Sequence, residues 1–117
     1  MAHIKKAILT LLVFSMLAGV STNTNAITAI DTPSCGNWVE SRQAKRSYLE
    51  RAHNGGWLLG FMSGLAMKSG IDYLAKSDKD SLLLWVDNYC KANPLEYLDK
   101  AGYELEKELI EQKHLNR

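Results

Sequence analysis

The sequence predicts an all-α fold, a small four-helix domain with one disulfide that follows a cleaved signal peptide. Three observations predict this fold. Apolar residues recur at helical spacing in four segments, glycine or proline separates the segments, and none shows the alternation of a strand. The 117 residues are enough for one domain at most.

The first residues have the layout of a secretory signal. A positively charged start precedes an uncharged, mostly apolar run over 7–20, and a polar segment then ends at Ala26. The apolar run is shorter than the roughly 20 residues that span a bilayer, which disfavours the alternative of an uncleaved membrane anchor. We therefore expect a signal peptide over 1–26, a single helical domain over 27–117, and a periplasmic protein without membrane insertion after cleavage.

The charge of the domain argues against some classes of partner. Without the predicted signal the chain keeps 12 of its 14 lysines and arginines and all 13 acids, so its net charge changes from +1 to −1. Nucleic acid and anionic lipid require a clustered basic surface, which a near-neutral domain does not indicate. We therefore expect a protein partner and no nucleic acid.

Two cysteines, Cys35 and Cys90, lie in the part expected to be exported. An even cysteine count in a small exported domain predicts a disulfide, and two cysteines allow one pairing. On the chain-entropy model, a loop of about 55 residues contributes roughly 4 kcal/mol to stability. A redox role is the alternative, but no Cys-x-x-Cys pair supplies an attacking and a resolving thiol.

The first helix is predicted from Pro33 or Ser34 to Ala52, with Thr32 as its N-cap. The paired glycines of segment 53–56 should end it. Its apolar positions, which should be buried, are Cys35, Trp38, Val39, Tyr48 and Leu49. Its basic positions, which should form a solvated face, are Arg42, Lys45, Arg46 and Arg51.

The second helix is predicted from Trp57 to Lys68, ending at the Ser-Gly pair of 69–70. Its apolar face comprises Trp57, Leu58, Phe61, Met62 and Leu65. Gly56, Gly60 and Gly64 recur every four residues, at a cost in helix propensity near 1 kcal/mol each against alanine. We expect these glycines to let another helix approach closely.

The third helix, from Asp78 to about Ala92, has the clearest pattern. Ser77 or Asp78 can cap its start, and the Asn93-Pro94 pair marks where it cannot continue. One face carries residues at i, i+3, i+4, i+7 and i+8, which are Leu82, Trp85, Val86, Tyr89 and Cys90.

The fourth helix is predicted to begin at once, with Asn93 as N-cap, Pro94 in the first position and Glu96 completing a capping box. It should extend to about Lys113. Its expected buried stripe is Leu95, Leu98, Gly102, Leu105 and Leu109. Its expected solvent face is Glu104, Glu106, Lys107, Glu108 and Glu111.

The histidines and serines give no sign of a catalytic site. His3 leaves with the predicted signal, His114 lies in the C-terminal tail and His53 lies in the predicted turn. Ser63 is not part of a Gly-x-Ser-x-Gly elbow, and a nucleophile needs a base and an orienting group at fixed positions. We therefore expect no enzyme.

Metal and acid–base sites are also disfavoured. The sharpest metal hypothesis combines Cys35, Cys90, His53 and His114. Its ligands are far apart in sequence, and its two cysteines are expected to pair with each other. The paired carboxylates are Asp78 with Asp80, and Glu104 with Glu108. They lie at a helix start or on a solvated face, so we expect no cofactor and no metal.

The three tryptophans, Trp38, Trp57 and Trp85, each fall on an apolar helical face. This spacing predicts that they belong to the core. The alternative is that one of them is exposed and anchors a partner, since tryptophan is enriched at binding hot spots.

Three motifs link these segments to a known group of proteins. They are Cys35-Gly36-x-Trp38, Trp57-x-x-Gly60-x-x-Ser63-Gly64 and Trp85-x-x-x-Tyr89-Cys90-x-x-x-Pro94. With the signal, the size and the final amphipathic helix, they resemble small exported bacterial proteins that include HdeA-type acid-stress chaperones and Rap/Tai-type immunity proteins. The latter are periplasmic inhibitors of cell-wall amidases delivered by type VI secretion.

The resemblance implies a non-enzymatic periplasmic binding protein. As a Rap/Tai-like immunity protein it would bind a cell-wall-targeting toxin, and would be stable at neutral pH with one complementary patch. As an HdeA-like chaperone it would bind unfolded clients once acid protonates its carboxylates and charge repulsion loosens its helices. A homodimer is left open in either case.

Overall fold

The computed structural model describes residues 28–43, 45 and 47–116, so the predicted signal peptide over 1–26 lies outside the described residues. In the described part the chain forms four helices and, apart from one isolated β-bridge, no strand, as the sequence predicts. The helices are α1 (Cys35–Ser41), α2 (Tyr48–Ser69), α3 (Lys79–Ala92) and α4 (Leu98–Leu115). None of these four is long and apolar enough to cross a bilayer.

Helix α1 is shorter than predicted, since it ends at Ser41 and not at Ala52. Its N-cap is Ser34, whose hydroxyl accepts a hydrogen bond from the backbone N–H of Asn37 at 3.0 Å. The predicted cap, Thr32, instead donates its hydroxyl to a carbonyl of the preceding residues. The cap therefore lies two residues later than predicted, directly before the first cysteine.

Helix α2 continues through segment 53–56, where the sequence predicts a turn. Asn54 is only 3% exposed, and its side-chain amide donates to Asn37 Oδ1 at 2.7 Å and to Ser41 Oγ at 3.1 Å. These bonds tie the N-terminal third of α2 to α1. The turn prediction was wrong because buried tertiary hydrogen bonds and packing outweigh a glycine cost near 1 kcal/mol per residue.

The first helix ends at Ser41 and the second begins at Tyr48, so the break lies between these residues. Tyr48 and Leu49, which were predicted to be buried, consequently start α2 with exposures of 74% and 75%. Ser47 caps this start through its hydroxyl, which accepts a hydrogen bond from the Leu49 N–H. The predicted end of α2 is confirmed, because Gly70 follows it with a φ of 68°, the left-handed conformation typical of a C-terminal glycine.

Helix α3 begins and ends as predicted. The Asp78 carboxylate accepts hydrogen bonds from the hydroxyl and the backbone N–H of Ser81, and these bonds lower the pKa of Asp78. Asn93 ends the helix as its C-cap. The predicted face is confirmed in full, with Leu82, Val86 and Cys90 buried and with Trp85 and Tyr89 partly buried.

Helix α4 begins at Leu98, later than predicted. Asn93 does not cap it, because its side-chain amide donates to a carbonyl in the last turn of α3. The residues between α3 and α4 instead pair with the chain around the start of α1. There Cys35 N–H donates to the Glu96 carbonyl at 2.8 Å, and Leu98 N–H donates to the Pro33 carbonyl at 2.9 Å.

This pairing changes the buried stripe of the last helix. Leu95 was predicted in the stripe but is 93% exposed, because segment 94–97 is not helical and does not follow the helical period. Along α4 itself the stripe is confirmed, with Leu98, Gly102 and Leu105 buried and Leu109 partly buried. On the opposite face Lys107, Glu108 and Glu111 are exposed as predicted, whereas Glu104 and Glu106 are partly buried.

The predicted disulfide between Cys35 and Cys90 is present and joins the start of α1 to the end of α3, with a Cα–Cα distance of 4.8 Å. Both cysteines are fully buried. Of the three tryptophans, Trp38 lies in the core and is 1% exposed. Trp57 and Trp85 are partly buried and pack against the core. The other large side chains with almost no exposure are Leu58, Met62, Val86, Leu98 and Leu105.

The glycines of α2 do not provide the close helix approach that was predicted for them. A Cβ added at Gly56, Gly60 or Gly64 would meet nothing within 4 Å. The close approach occurs at Gly102 of α4, where an added Cβ would lie 2.7 Å from Cδ1 of Phe61. The glycine that admits a neighbouring helix is therefore in the last helix and not in the second.

Candidate functional site

The side chains considered for catalysis have structural surroundings. His53 lies on the exposed surface of α2, with Nε2 3.5 Å from the carboxylate of Asp31. His114 is exposed in the last turn of α4. The Ser63 hydroxyl donates to the Leu59 carbonyl at 2.7 Å within its own helix. Within the described residues the His53 imidazole thus faces a carboxylate and the Ser63 hydroxyl a backbone carbonyl.

The carboxylates singled out by the sequence take part in local bonds. Asp78 caps α3, as described above. The Glu104 carboxylate lies 2.9 Å from Lys107 Nζ and 3.2 Å from Lys100 Nζ, and these two cations lower its pKa. Its predicted companion Glu108 accepts a hydrogen bond from the side-chain amide one turn later. These bonds are typical of a solvated helix face.

The hypothetical zinc ligands are not gathered at one place. Cys35 and Cys90 are consumed by the disulfide, which leaves no thiolate from either. Within the described residues no three His, Cys, Asp or Glu side chains form a group that could hold a metal ion. His3 lies outside the described residues.

A groove of about 880 Å³ separates α2 from α3. Both α2 and α3 pack against α1 and against α4, whereas the direct contact between α2 and α3 is marginal at most. Helix α1 has only seven residues, so it fills only part of the space between them. The unfilled part is the groove.

Small residues on α2 keep the groove open. Ala52, Gly55 and Gly56 line its α2 side and are called the small wall below. A Cβ added at either glycine would meet nothing within 4 Å, so no side chain of the described residues occupies this space. Apolar side chains from α1, α2 and α3 complete the lining, namely Val39, Leu59 and Leu83.

Asp87 fastens α1 to α3 at the edge of the groove. Its carboxylate accepts hydrogen bonds from Trp38 Nε1 at 2.7 Å, from Arg42 Nε at 2.9 Å and from a second Arg42 N–H at 3.0 Å. The Arg42 guanidinium also lies 5.6 Å from the centroid of the Trp38 ring. Bidentate arginine–carboxylate pairs are geometrically specific. The charges of Arg42 and Asp87 therefore cancel each other, and their hydrogen bonds fix the position of α1 relative to α3 beside the groove.

The other charged residues make the groove basic. They are three cations, Arg51, Lys79 and Lys91, and one carboxylate, Asp80. None of the three cations forms an ion pair with a described residue. The groove therefore combines an apolar lining with a surplus of positive charge, an arrangement that attracts carboxylate groups.

Tyr48 stands in the lining of the groove and is 74% exposed. Tyrosine is among the residues enriched at binding hot spots, because it offers a large apolar ring and a polar tip. An exposed aromatic side chain was considered only as an alternative for one of the tryptophans. In the groove this side chain is Tyr48, which was predicted to be buried.

The groove does not follow from the predicted helices, because the predicted turn at 53–56 divides the continuous helix α2. The predicted turn at 53–56 assigned Arg51 and Ala52 to one helix and placed Gly56 outside any helix. Had the helix been continued, Ala52 and Gly56 would have appeared four residues apart on one face beside Arg51. That spacing is the signal in the sequence that could have indicated the small wall.

Comparisons of this chain with protein-family models, with curated proteins and with solved structures found no match.

Proposed function

We propose that this protein is an exported, non-enzymatic inhibitor that binds one protein toxin directed at the cell wall, in the manner of a Rap/Tai-like immunity protein. The observation that carries the proposal is the preformed, basic groove between α2 and α3. An inhibitor of this kind must present a complementary surface before its target arrives. The groove offers such a surface in a single folded domain.

The frame of the groove supports this proposal. The disulfide links α1 to the end of α3, and the Asp87 cluster links α1 to the middle of α3. Asn54 links α1 to α2 by two further hydrogen bonds. A surface held by bonds at three places loses little conformational freedom when it binds, and this preorganisation favours affinity.

Two further observations support the remaining parts of the proposal. The disulfide is compatible with an oxidising compartment such as the periplasm, and the first 26 residues have the pattern of an export signal. The Ser63 hydroxyl is bonded within its own helix and His53 lies on the exposed surface, which favours binding over catalysis.

The test uses the full chain, exported by its host and recovered in oxidised form. We expect it to capture one stoichiometric partner at neutral pH and to inhibit that partner when peptidoglycan cleavage is assayed by muropeptide release. A protein that captures partners equally well with its groove blocked would remain an inhibitor acting through another surface. Amidase, protease or redox turnover by the purified protein itself would contradict the proposal.

Exposed apolar side chains favour a second candidate function, that of an acid-activated chaperone. The described surface exposes several large ones, among them Met67 and Leu95. This candidate predicts that the protein captures no dedicated partner at neutral pH. At acid pH it should expose apolar surface, measured by dye binding, and should suppress the aggregation of many clients, measured by light scattering.

A further inference from the structure

We infer that the groove between α2 and α3 binds an extended, acidic segment of a partner polypeptide, with one apolar side chain of that segment against the small wall. The inference rests on the proposed function, because it names the chemistry by which the target would be recognised. It is carried by the length, the charge and the lining of the groove.

The length of the groove suits an extended segment. Lys79 and Lys91 line it from the first and last turns of α3, and their separation of twelve positions corresponds to about 18 Å of helix. An extended chain covers this length with about five residues.

The charge of the groove selects carboxylates on a polypeptide. Arg51, Lys79 and Lys91 outnumber Asp80 there, whereas the domain as a whole is predicted to carry a net charge of −1. A local surplus of this size suits a few carboxylates and is too small for a phosphate backbone, which requires an extended basic surface. Beyond the groove the negative charge of the domain disfavours long polyanions and so adds specificity.

The lining of the groove provides a place for an apolar side chain. Leu83 is 7% exposed and closes the α3 side, and Leu59 is partly buried beside the small wall. A Cβ added at Gly56 would meet no neighbouring side chain of the described residues within 4 Å, which leaves room for a branched aliphatic group. Burying such a group against this lining removes apolar surface from water on both partners.

The first experiment measures binding of a defined probe to the isotopically labelled protein in its exported, oxidised form. The probe is a blocked hexapeptide with glutamate at both ends and leucine in its centre. We expect amide chemical-shift changes in the groove, at Arg51, Gly56 and Lys91, that weaken as ionic strength rises. Replacing both glutamates by glutamine should weaken binding at least tenfold, and replacing the leucine by glycine should weaken it several-fold.

Two pairs of variants test whether the groove is the site. Gly56→Leu should fill the groove and weaken peptide binding at least tenfold, whereas Gly60→Leu, one turn later and outside the groove, should leave it unchanged. Lys91→Glu should weaken binding by a similar factor, whereas Lys76→Glu, an equal charge change in an exposed loop outside the groove, should have little effect. Circular dichroism checks that each variant retains its helical content.

The outcomes separate this inference from the proposed function. Shift changes outside the groove, or equal losses in the two members of a pair, would overturn the inference. Equal binding by an oligonucleotide of six residues or by anionic vesicles would also overturn it. If a toxin is captured and inhibited but Gly56→Leu does not weaken its binding, the inference fails and the proposed function stands. If the peptide binds as expected but no inhibited toxin is found, the proposed function fails and the groove assignment stands.

Discussion

The two sides of α2 show opposite uses of glycine. On the side that faces α4, Phe61 packs against bare backbone at Gly102, where an added Cβ would lie 2.7 Å from its ring. On the side that faces α3, Gly55 and Gly56 have nothing opposite them, and the space stays open as a groove. A glycine at helical spacing therefore indicates only that a side chain is missing, and the position of the neighbouring helix decides whether the space is filled.

The packed side is also where aromatic contacts accumulate. Trp57 stacks on Phe61 with ring centroids 5.1 Å apart, and Phe61 meets Tyr103 of α4 edge to face at 5.4 Å. Such pairs contribute about 0.5–1.5 kcal/mol each beyond their buried area. Packed aromatic rings therefore fill the contact between α2 and α4, whereas the side of α2 that faces α3 stays open at the groove.

The largest effect on stability should come from removing the disulfide that links α1 to the end of α3. Replacing both cysteines, Cys35→Ser with Cys90→Ser, should lower the free energy of unfolding by about 4 kcal/mol, because the reduced chain regains the entropy of the long loop. Urea unfolding followed by circular dichroism measures the loss. A decrease below about 1 kcal/mol would mean that the Asp87 cluster alone holds α1 to α3.

The next effect should separate the two kinds of glycine. Gly102→Ala should lower the free energy of unfolding by about 1–2 kcal/mol, since the added methyl group displaces the Phe61 ring and disturbs its aromatic contacts. The matched control is Gly64→Ala on the exposed surface of α2. If both variants changed stability in the same direction, the distinction between packed and open glycines would be wrong.

A smaller effect of opposite sign is expected on the open side. Gly56→Ala and Gly60→Ala should each raise the free energy of unfolding by about 0.5–1 kcal/mol, because alanine is the better helix former and its methyl group meets nothing. Thermal unfolding of the single variants and of the pair measures the gain. A loss of stability in Gly56→Ala would show that the groove is closed in solution by a contact absent from the described structure.

The smallest expected effect on stability is an alkaline one and concerns Tyr73. This side chain is buried between α2 and α4, and its hydroxyl donates a hydrogen bond to the Met62 carbonyl. Burial, and then the negative charge of Glu106, raise the pKa of this phenol. Because the pKa is higher in the folded state, the unfolded chain loses this proton first, so the stability present below about pH 10 is lost as the pH rises further.

The measurement is the urea midpoint as a function of pH above about 9, compared between the wild type and Tyr73→Phe. The variant should show a shallower alkaline decline, whatever its stability at neutral pH. Tyr48→Phe, a change at an exposed tyrosine, serves as the control. An equally steep decline in wild type and Tyr73→Phe would mean that another group controls the alkaline loss.

The sequence by itself determined the features that depend on neighbouring residues. Helix α3 has an apolar face of regular spacing, a carboxylate cap at Asp78 and a stop at Asn93, so its limits follow from local rules. The left-handed glycine at Gly70 ends α2 for a similar reason. Two cysteines allow one disulfide, and because Cys35 lies in α1 and Cys90 in α3, this disulfide links the two helices. The export signal and the protein partner stay predictions.

The tertiary structure decided what depends on residues that are distant in sequence. Asn54 keeps α2 continuous because its partners lie in α1, and Leu95 is exposed because segment 94–97 pairs with residues before α1. The groove exists because a short α1 leaves α2 and α3 apart, and neither helix contains a local signal of that distance. Local patterns therefore assigned the helical class, while contacts across the chain decided where the helices end and where a partner can bind.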